Sequence, residues 1–337
     1  GVGLHTGESV NITFKPAPAD TGLVFVREDI EGDNLINAHI KYISNTDRGT
    51  NLDNGKLRIH TSEHVLAAIT GLEIDNCFIC LDGPEVPIMD GSSKFFINAL
   101  EEAKIVEQNV LREEFFPSEP ISYVCEDSGS KISILPDDNY KVNTIVDYKT
   151  KVLGKQEASI NHIVEFKEEI SAARTFSFLH ELETLLENGL IKGGDLNNAI
   201  VYVDKPLAES NMDILKKAFN KDSISVTPNG ILDNLNLHYP NEAARHKLLD
   251  VIGDLALIGM KIRGKVIAEK PGHSINAKFA KKISEVIKSD RKNTLPKIDF
   301  EKKPLMDSNQ IMKVIPHRPP FLLIDKVLEL SDLNKSL

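Results

Sequence analysis

The sequence predicts an α+β protein: two halves that each lay helices on one face of a sheet, followed by an incomplete further segment. Three observations carry this. Alternating or β-rich stretches bounded by Gly and Pro are interspersed with helical patterns. The mixture recurs with different content on either side of about residue 112, without a short-period repeat. From Ser289 the chain turns polar and Lys-rich through SDRKNTLPKIDFEKKPLMDS, and a new apolar pattern then begins.

In the first half, residues 1–112, VNITFKPAP and GLVFVRED read as strands, with Pro and Gly between them. SEHVLAAITGL predicts a helix with Ser62 as N-cap and Gly71 as its stop. NCFICLDG is a strand, and SSKFFINALEEA a second helix capped by Ser92 or Ser93. In the second half, residues 113–290, KISILP and NTIVDYK read as strands, FSFLHELETLLENGL as a helix ending at Gly189, and NAIVYVD as a buried strand. EAARHKLLDVIGDLALIGM predicts a long helix whose apolar positions are Leu248, Leu249, Ile252, Leu255 and Leu257. Residues 291–305 read as a linker. The tail, 306–337, is too short to bury a core of its own.

Composition narrows the function. The 337 residues hold no Trp and only 6% aromatics, so the core is aliphatic. A net charge of −10 argues against nucleic acid as a partner. No apolar run reaches the roughly 18 residues a membrane span needs. No signal peptide is visible, in a chain that starts at Gly1 without Met. Three cysteines, Cys77, Cys80 and Cys125, are too few and odd in number for a disulfide framework, which points to a reducing cytoplasm. Cys77 and Cys80 form a CxxC, but within a strand-like run where residues three apart face opposite sides. No second pair completes a Cys-rich zinc site, so both read as small buried side chains.

Four segments hold chemistry. In RHKLLDVIGD, His246 and Asp250 are four apart on one helix face, a spacing at which both can ligate one zinc ion, with Asp254 a turn further on. In SEHVLAA, Glu63 and His64 are adjacent near a helix start; they would add a third ligand, His64, and a carboxylate beside the metal, Glu63. Two His, one carboxylate and an open position form a catalytic zinc pattern. In KPGHSINAK, a Pro-Gly turn presents His273, which could protonate a leaving amine or stabilise an oxyanion. In GVGLHTGE, three glycines permit close backbone approach to a ligand and His5 projects from the loop, although the Walker Lys is missing. Taken singly, each segment also reads as an ordinary solvated helix face or exposed loop.

Together they resemble the zinc-dependent UDP-3-O-acyl-N-acetylglucosamine deacetylases of lipid A synthesis. GVGLHTGE, SEHVLAAITGLEIDN, PEVPIMDGSS, ARTFSF, NGLIKGGDLNNAIV, RHKLLDVIGDLALIG and GHSIN run in that family's order over about residues 1–290. The resemblance implies two layered sheet-and-helix domains with the active site between them. It implies a zinc ion on His64, His246 and Asp250, Glu63 as general base, and His273 as the cationic acid with Asp254 holding its charge. Thr175 would help polarise the acetamide carbonyl. Phe176 and Lys247 would contact the sugar and nucleotide parts of the UDP-3-O-acyl-N-acetylglucosamine substrate, and His5, from the Gly-rich loop, is a further candidate substrate contact. An insert for the acyl chain is expected within residues 147–170. The family's strand before the Gly-rich loop has no counterpart here, so Gly1 looks like a truncation that leaves a sheet edge unpaired. IMKVIPHRPPFLLIDKV is similar to the opening of 3-hydroxyacyl-acyl-carrier-protein dehydratases, which have a hot-dog fold; His317 matches their catalytic His. That second resemblance implies a bifunctional parent, with acyl carrier protein substrates for the parent and a spectator role for His317 in this chain. Two rivals remain at this level: a metal-free binding protein on the same fold, and a general metallopeptidase.

Overall fold

The computed structural model describes residues 1–181, 192–193, 196, 198–204, 216, 222–228, 230–232, 236–293 and 303–328. The chain forms two compact units, Gly1–Val286 and Ile287–Leu337. The fold is mixed, with several sheets and helices, as an α+β reading requires.

The first unit begins with strands β1 (Ile12–Pro16), β2 (Leu23–Arg27), β3 (Leu35–Asn37), β4 (Ile43–Asn45), β5 (Asn51–Asp53) and β6 (Arg58–Ile59). Helix α1 (Glu63–Gly71), β7 (Cys77–Leu81) and α2 (Lys94–Glu102) follow. The chain continues through β8 (Glu114–Phe115), β9 (Ile121–Cys125), β10 (Ser130–Leu135), β11 (Tyr140–Asp147) and β12 (Lys155–Ile160). Then come α3 (Phe166–Glu169), β13 (Phe176–Phe178), β14 (Ile200–Tyr202), α4 (Glu242–Ala256), β15 (Lys261–Ile262), β16 (Gly264–Glu269) and α5 (His273–Asn293).

Two sheets organise this unit, in the orders β1-β7-β2-β3 and β12-β11-β16-β10-β9. Each contains one parallel pair, β2 with β7 and β11 with β16. Parallel neighbours cannot be joined by a tight hairpin and need a long crossover. The β2–β7 crossover contains α1, and the β11–β16 crossover contains α4. The two crossover helices pack against each other, and α4 also packs on β11 and β12. Gly253 of α4 makes the close crossing possible: a Cβ there would stand 2.1 Å from the Glu63 carbonyl oxygen. Val65, Leu66 and Ile69 of α1 and Leu248, Leu249, Ile252 and Leu255 of α4 are fully buried. At roughly 1.5–3 kcal/mol for each large aliphatic side chain, this contact is a principal source of stability.

Several local expectations change. Ser62 and Ser93 occupy the N-cap positions of α1 and α2, but neither side chain caps its helix. The Ser62 hydroxyl donates to the Thr50 carbonyl (2.8 Å) and that of Ser93 to the His64 carbonyl (2.7 Å), so tertiary partners outcompete the local cap. Phe176–Phe178, expected to open a helix, instead pairs in parallel with Ile200–Tyr202. The aromatic residues there suit a strand, and their rings pack with Tyr148 and Tyr202. The rest of that expected helix, with Gly189, lies outside the described residues. The expected linker also starts late, since α5 runs to Asn293.

In the second unit, β17 (Met306–Asp307) pairs with β18 (Lys326–Val327) around α6 (Ser308–Val314). Asp307 and Gln310 form a reciprocal capping box. Ile311 is buried, whereas Val314, Phe321 and Leu323 are exposed. Among the described residues no helix is long and apolar enough to cross a membrane.

Candidate metal centre and proton-transfer site

Helix α1 presents Glu63 and His64 at its start; α4 presents His246, Lys247, Asp250 and Asp254 along one face; His273 opens α5. His273, expected in a turn, is thus helical, with Pro271 and Gly272 immediately before it.

One ligand atom from each of His64, His246 and Asp250 lies within 4.8 Å of the other two, and all three residues are buried. His246 Nε2 is 3.4 Å and His64 Nε2 3.9 Å from Asp250 Oδ1. Donors about 2.0–2.1 Å from one tetrahedral ion stand about 3.4 Å apart, so the spacing suits a metal. The atoms are also oriented for it. His246 Nδ1 lies 3.1 Å from the Ala173 carbonyl, which can only accept, so Nδ1 carries the hydrogen and Nε2 offers its lone pair. Lys247 Nζ donates to Asp250 Oδ2 (2.7 Å), while Oδ1 is buried with no hydrogen-bond partner among the described residues. An orphaned anionic oxygen between two imidazoles is costly without a cation. Charge states agree. Burial, reinforced by the neighbouring His246, pushes His64 down to about 3, and burial likewise lowers His246. Asp250 is held well below the carboxylate range, because Lys247 and the surrounding histidines outweigh its burial. Two neutral imidazoles and one carboxylate are the donor set of a catalytic zinc.

A second group flanks this triad. Burial raises Glu63 to about 7, helped by the Asp254 and Asp250 charges and opposed by His273. Burial would discharge His273, but Asp254, Asp250 and Glu63 outweigh it and raise His273 to about 10. His273 Nδ1 lies 2.9 Å from Asp254 Oδ2. That bond turns Nε2 inward, 3.8 Å from Glu63 Oε1 and 3.9 Å from Asp250 Oδ2. The site therefore brings a carboxylate, a cationic imidazole and a His-His-Asp group that could hold a metal within a few ångströms of one another. That is the equipment for adding water to a carbonyl.

The whole-chain comparisons fit this geometry. The family model "LpxC: UDP-3-O-acyl N-acetylglycosamine deacetylase" matches residues 1–214 and 208–285. The chain belongs to the UDP-3-O-acyl N-acetylglycosamine deacetylase family. A bifunctional enzyme LpxC/FabZ from Porphyromonas gingivalis is 44% identical over 331 residues, covering 98% of this chain and 71% of the relative. The Chlorobaculum tepidum protein of the same name is also 44% identical, with 98% and 71% covered. A UDP-3-O-acyl-N-acetylglucosamine deacetylase from Acidithiobacillus ferrooxidans is 37% identical over 279 residues, 82% of this chain and 83% of that protein.

The remaining candidate positions of this family member are less central. The Phe176 ring stands 6.2 Å from the His246 ring, and Lys247 Nζ lies 5.5 Å above it, so both border the triad. Thr175 precedes Phe176 and is fixed through its backbone to Gly91 and Ile200. The His5 N–H donates to both Glu85 oxygens, at 3.1 and 3.2 Å, anchoring the Gly-rich loop there. His317 is exposed in the second unit.

Sequence reasoning missed the residues that hold the site in register. Thr50 donates its N–H to Glu63 Oε2 (2.9 Å) and its hydroxyl to Asp254 Oδ1. Asn276 Nδ2 donates to Asp254 Oδ2 (2.8 Å). Arg174 and Glu242 form a buried pair (2.8 Å) that ties the Ala173 carbonyl to the start of α4. A buried charge so near one end of a ligand helix could have been suspected from Glu242 alone; Thr50 and Asn276 left no signal.

Proposed function

We propose that this chain removes the acetyl group from UDP-3-O-acyl-N-acetylglucosamine by zinc-dependent hydrolysis, giving acetate and the free amine, in lipid A synthesis. The observation that carries the reading is the convergence of His64, His246 and Asp250 beside Glu63 and His273. Zinc held by the three ligands supplies Lewis acidity and makes a nearby water far more acidic than in bulk.

The chain's own groups divide the proton work. Glu63 accepts a proton from the attacking water as the C–O bond forms. His273, kept cationic by Asp254, faces the same space through Nε2, stabilises the negative carbonyl oxygen and gives its proton to the nitrogen as the C–N bond breaks. Lys247 neutralises Asp250 and, with Phe176, borders the triad where the sugar and nucleotide would lie. Thr175 is assigned by resemblance, as a hydroxyl on the acetamide carbonyl, and His5 as a substrate contact from its place in the Gly-rich loop. We read residues 1–112 and 113–290 as two domains, since each contains one main sheet and contributes one crossover helix to the site. Three free thiols suit a reducing cytoplasm.

We read residues 306–337 as the opening of a hot-dog dehydratase domain acting on acyl carrier protein substrates in longer relatives. Support comes from the bifunctional relatives, whose match extends over 98% of this chain.

The test is substrate preference. Acetate release should be efficient from UDP-3-O-acyl-N-acetylglucosamine, weak from the same acylated sugar without UDP, and absent from acetylated peptides. Equal turnover of peptide amides would replace this reading with a general metallopeptidase.

A further inference from the structure

Thr50 lies just before β5, fully buried, and touches both halves of the proton-transfer pair. Its backbone N–H holds Glu63 Oε2 at 2.9 Å. Its hydroxyl must donate to Asp254 Oδ1, because a carboxylate only accepts, and it stands 3.4 Å from His273 Nδ1. Both Asp254 oxygens are thereby engaged: Oδ1 takes Thr50, and Oδ2 takes Asn276 and His273. Thr50 is itself fixed, since its carbonyl accepts from both the N–H (3.1 Å) and the hydroxyl (2.8 Å) of Ser62, next to Glu63. Gly49 completes the fit: a Cβ there would come within 2.9 Å of Glu63 Oε1.

We infer that Thr50 is a positioning residue that sets the geometry between Glu63 and His273, acting through its N–H on one and through Asp254 on the other. This rests on the deacetylase reading above. Without the hydroxyl, Asp254 Oδ1 is buried and unpaired, its carboxylate can rotate, and the His273 ring loses its fixed direction. Thr50 itself touches none of His64, His246 and Asp250, and its chain of contacts meets them only where His273 Nε2 stands 3.9 Å from Asp250 Oδ2, so metal binding and substrate binding should change little.

The experiment compares zinc-loaded wild type, Thr50→Val and Thr50→Ser. Val keeps the shape and the N–H; Ser keeps the hydroxyl. Thr50→Val should lower kcat roughly 10- to 100-fold, the effect of losing one hydrogen bond to a charged group. KM should stay within about twofold, zinc content should match wild type, and Thr50→Ser should recover most of the rate. In a His273→Ala background Thr50→Val should add little, because it acts through that ring. The His273 Nδ1–H proton resonance, seen in wild type and Thr50→Ser, should shift or broaden in Thr50→Val. An unchanged resonance and kcat in a folded Thr50→Val, or a full additional loss in the His273→Ala background, would overturn the proposal. A wild-type chain that leaves the nucleotide sugar intact would overturn the deacetylase reading instead, and the resonance would still decide the role of Thr50.

Discussion

Gly253→Ala sets two ordinary effects against each other. In the middle of a helix, Ala is preferred over Gly by about 1 kcal/mol. Helix propensity alone therefore predicts a more stable protein. The crossing of α1 and α4 predicts the opposite. The new Cβ would meet backbone atoms of Glu63, the carbonyl oxygen at 2.1 Å, the carbonyl carbon at 2.8 Å and Cα at 3.0 Å. Backbone cannot swing aside as a side chain can. Relieving the closest contact to the 3.4 Å of ordinary packing needs a displacement of about 1.3 Å. Overpacking of this kind costs about 3 kcal/mol at the upper end of its usual range, leaving a net loss of about 2 kcal/mol. For a unit of this size that lowers Tm by roughly 4–8 °C. The displaced atoms belong to Glu63 and carry His64 with them, so base and ligand both move relative to His246 and Asp250. A misplacement of about 1 Å can cost 100-fold in rate. Calorimetry, zinc titration and acetate release should therefore show a less stable chain with weaker zinc binding and about 100-fold lower turnover. A stabilised variant with normal turnover would refute the claim that the helix crossing sets the site.

Glu63→Ala should retain zinc while slowing turnover by roughly 100-fold or more, since the base lies beside the ligand set and not in it; metal analysis showing zinc lost with activity would move Glu63 among the ligands. Activity should be bell-shaped in pH: it rises as Glu63 ionises near 7 and falls as His273 loses its proton near 10, with the charge of a bound metal moving both limbs downward. A rate that keeps climbing past the upper limb would remove His273 as the acid. The 337-residue chain should deacetylate without dehydrating 3-hydroxyacyl thioesters, because His317 is exposed and no carboxylate partner accompanies it among the described residues of its unit. Dehydratase turnover by this chain, read as loss of the 3-hydroxyacyl thioester, would contradict that.

Much of the site was legible because its central spacing is local. His246 and Asp250 share a helix face whatever surrounds them, and Glu63 with His64 opens a helix that periodicity alone identifies. Their convergence was not local: it depends on two parallel strand pairs whose crossovers bring α1 onto α4. Only the order of whole motifs hinted at it. Thr50 and Asn276 were invisible because their partner, Asp254, lies 204 and 22 residues away, and Thr and Asn are unremarkable in loops and helices. Ser62 and Ser93 misled for a related reason, since a hydroxyl before a helix is usually a cap and here serves a tertiary carbonyl. At Phe176–Phe178 a pattern compatible with either element was settled by pairing with Ile200–Tyr202, and the aromatic cluster followed from that pairing.

The proposed zinc site takes two imidazoles and one carboxylate from α1 and α4. X-ray absorption at the zinc edge of the loaded chain tests it most directly. The spectrum should show nitrogen and oxygen donors at about 2.0–2.2 Å, two of them imidazole, and His246→Ala should lose one imidazole together with much of the bound zinc. Sulfur donors at about 2.3 Å, or a spectrum unchanged by His246→Ala, would place the metal elsewhere and contradict it.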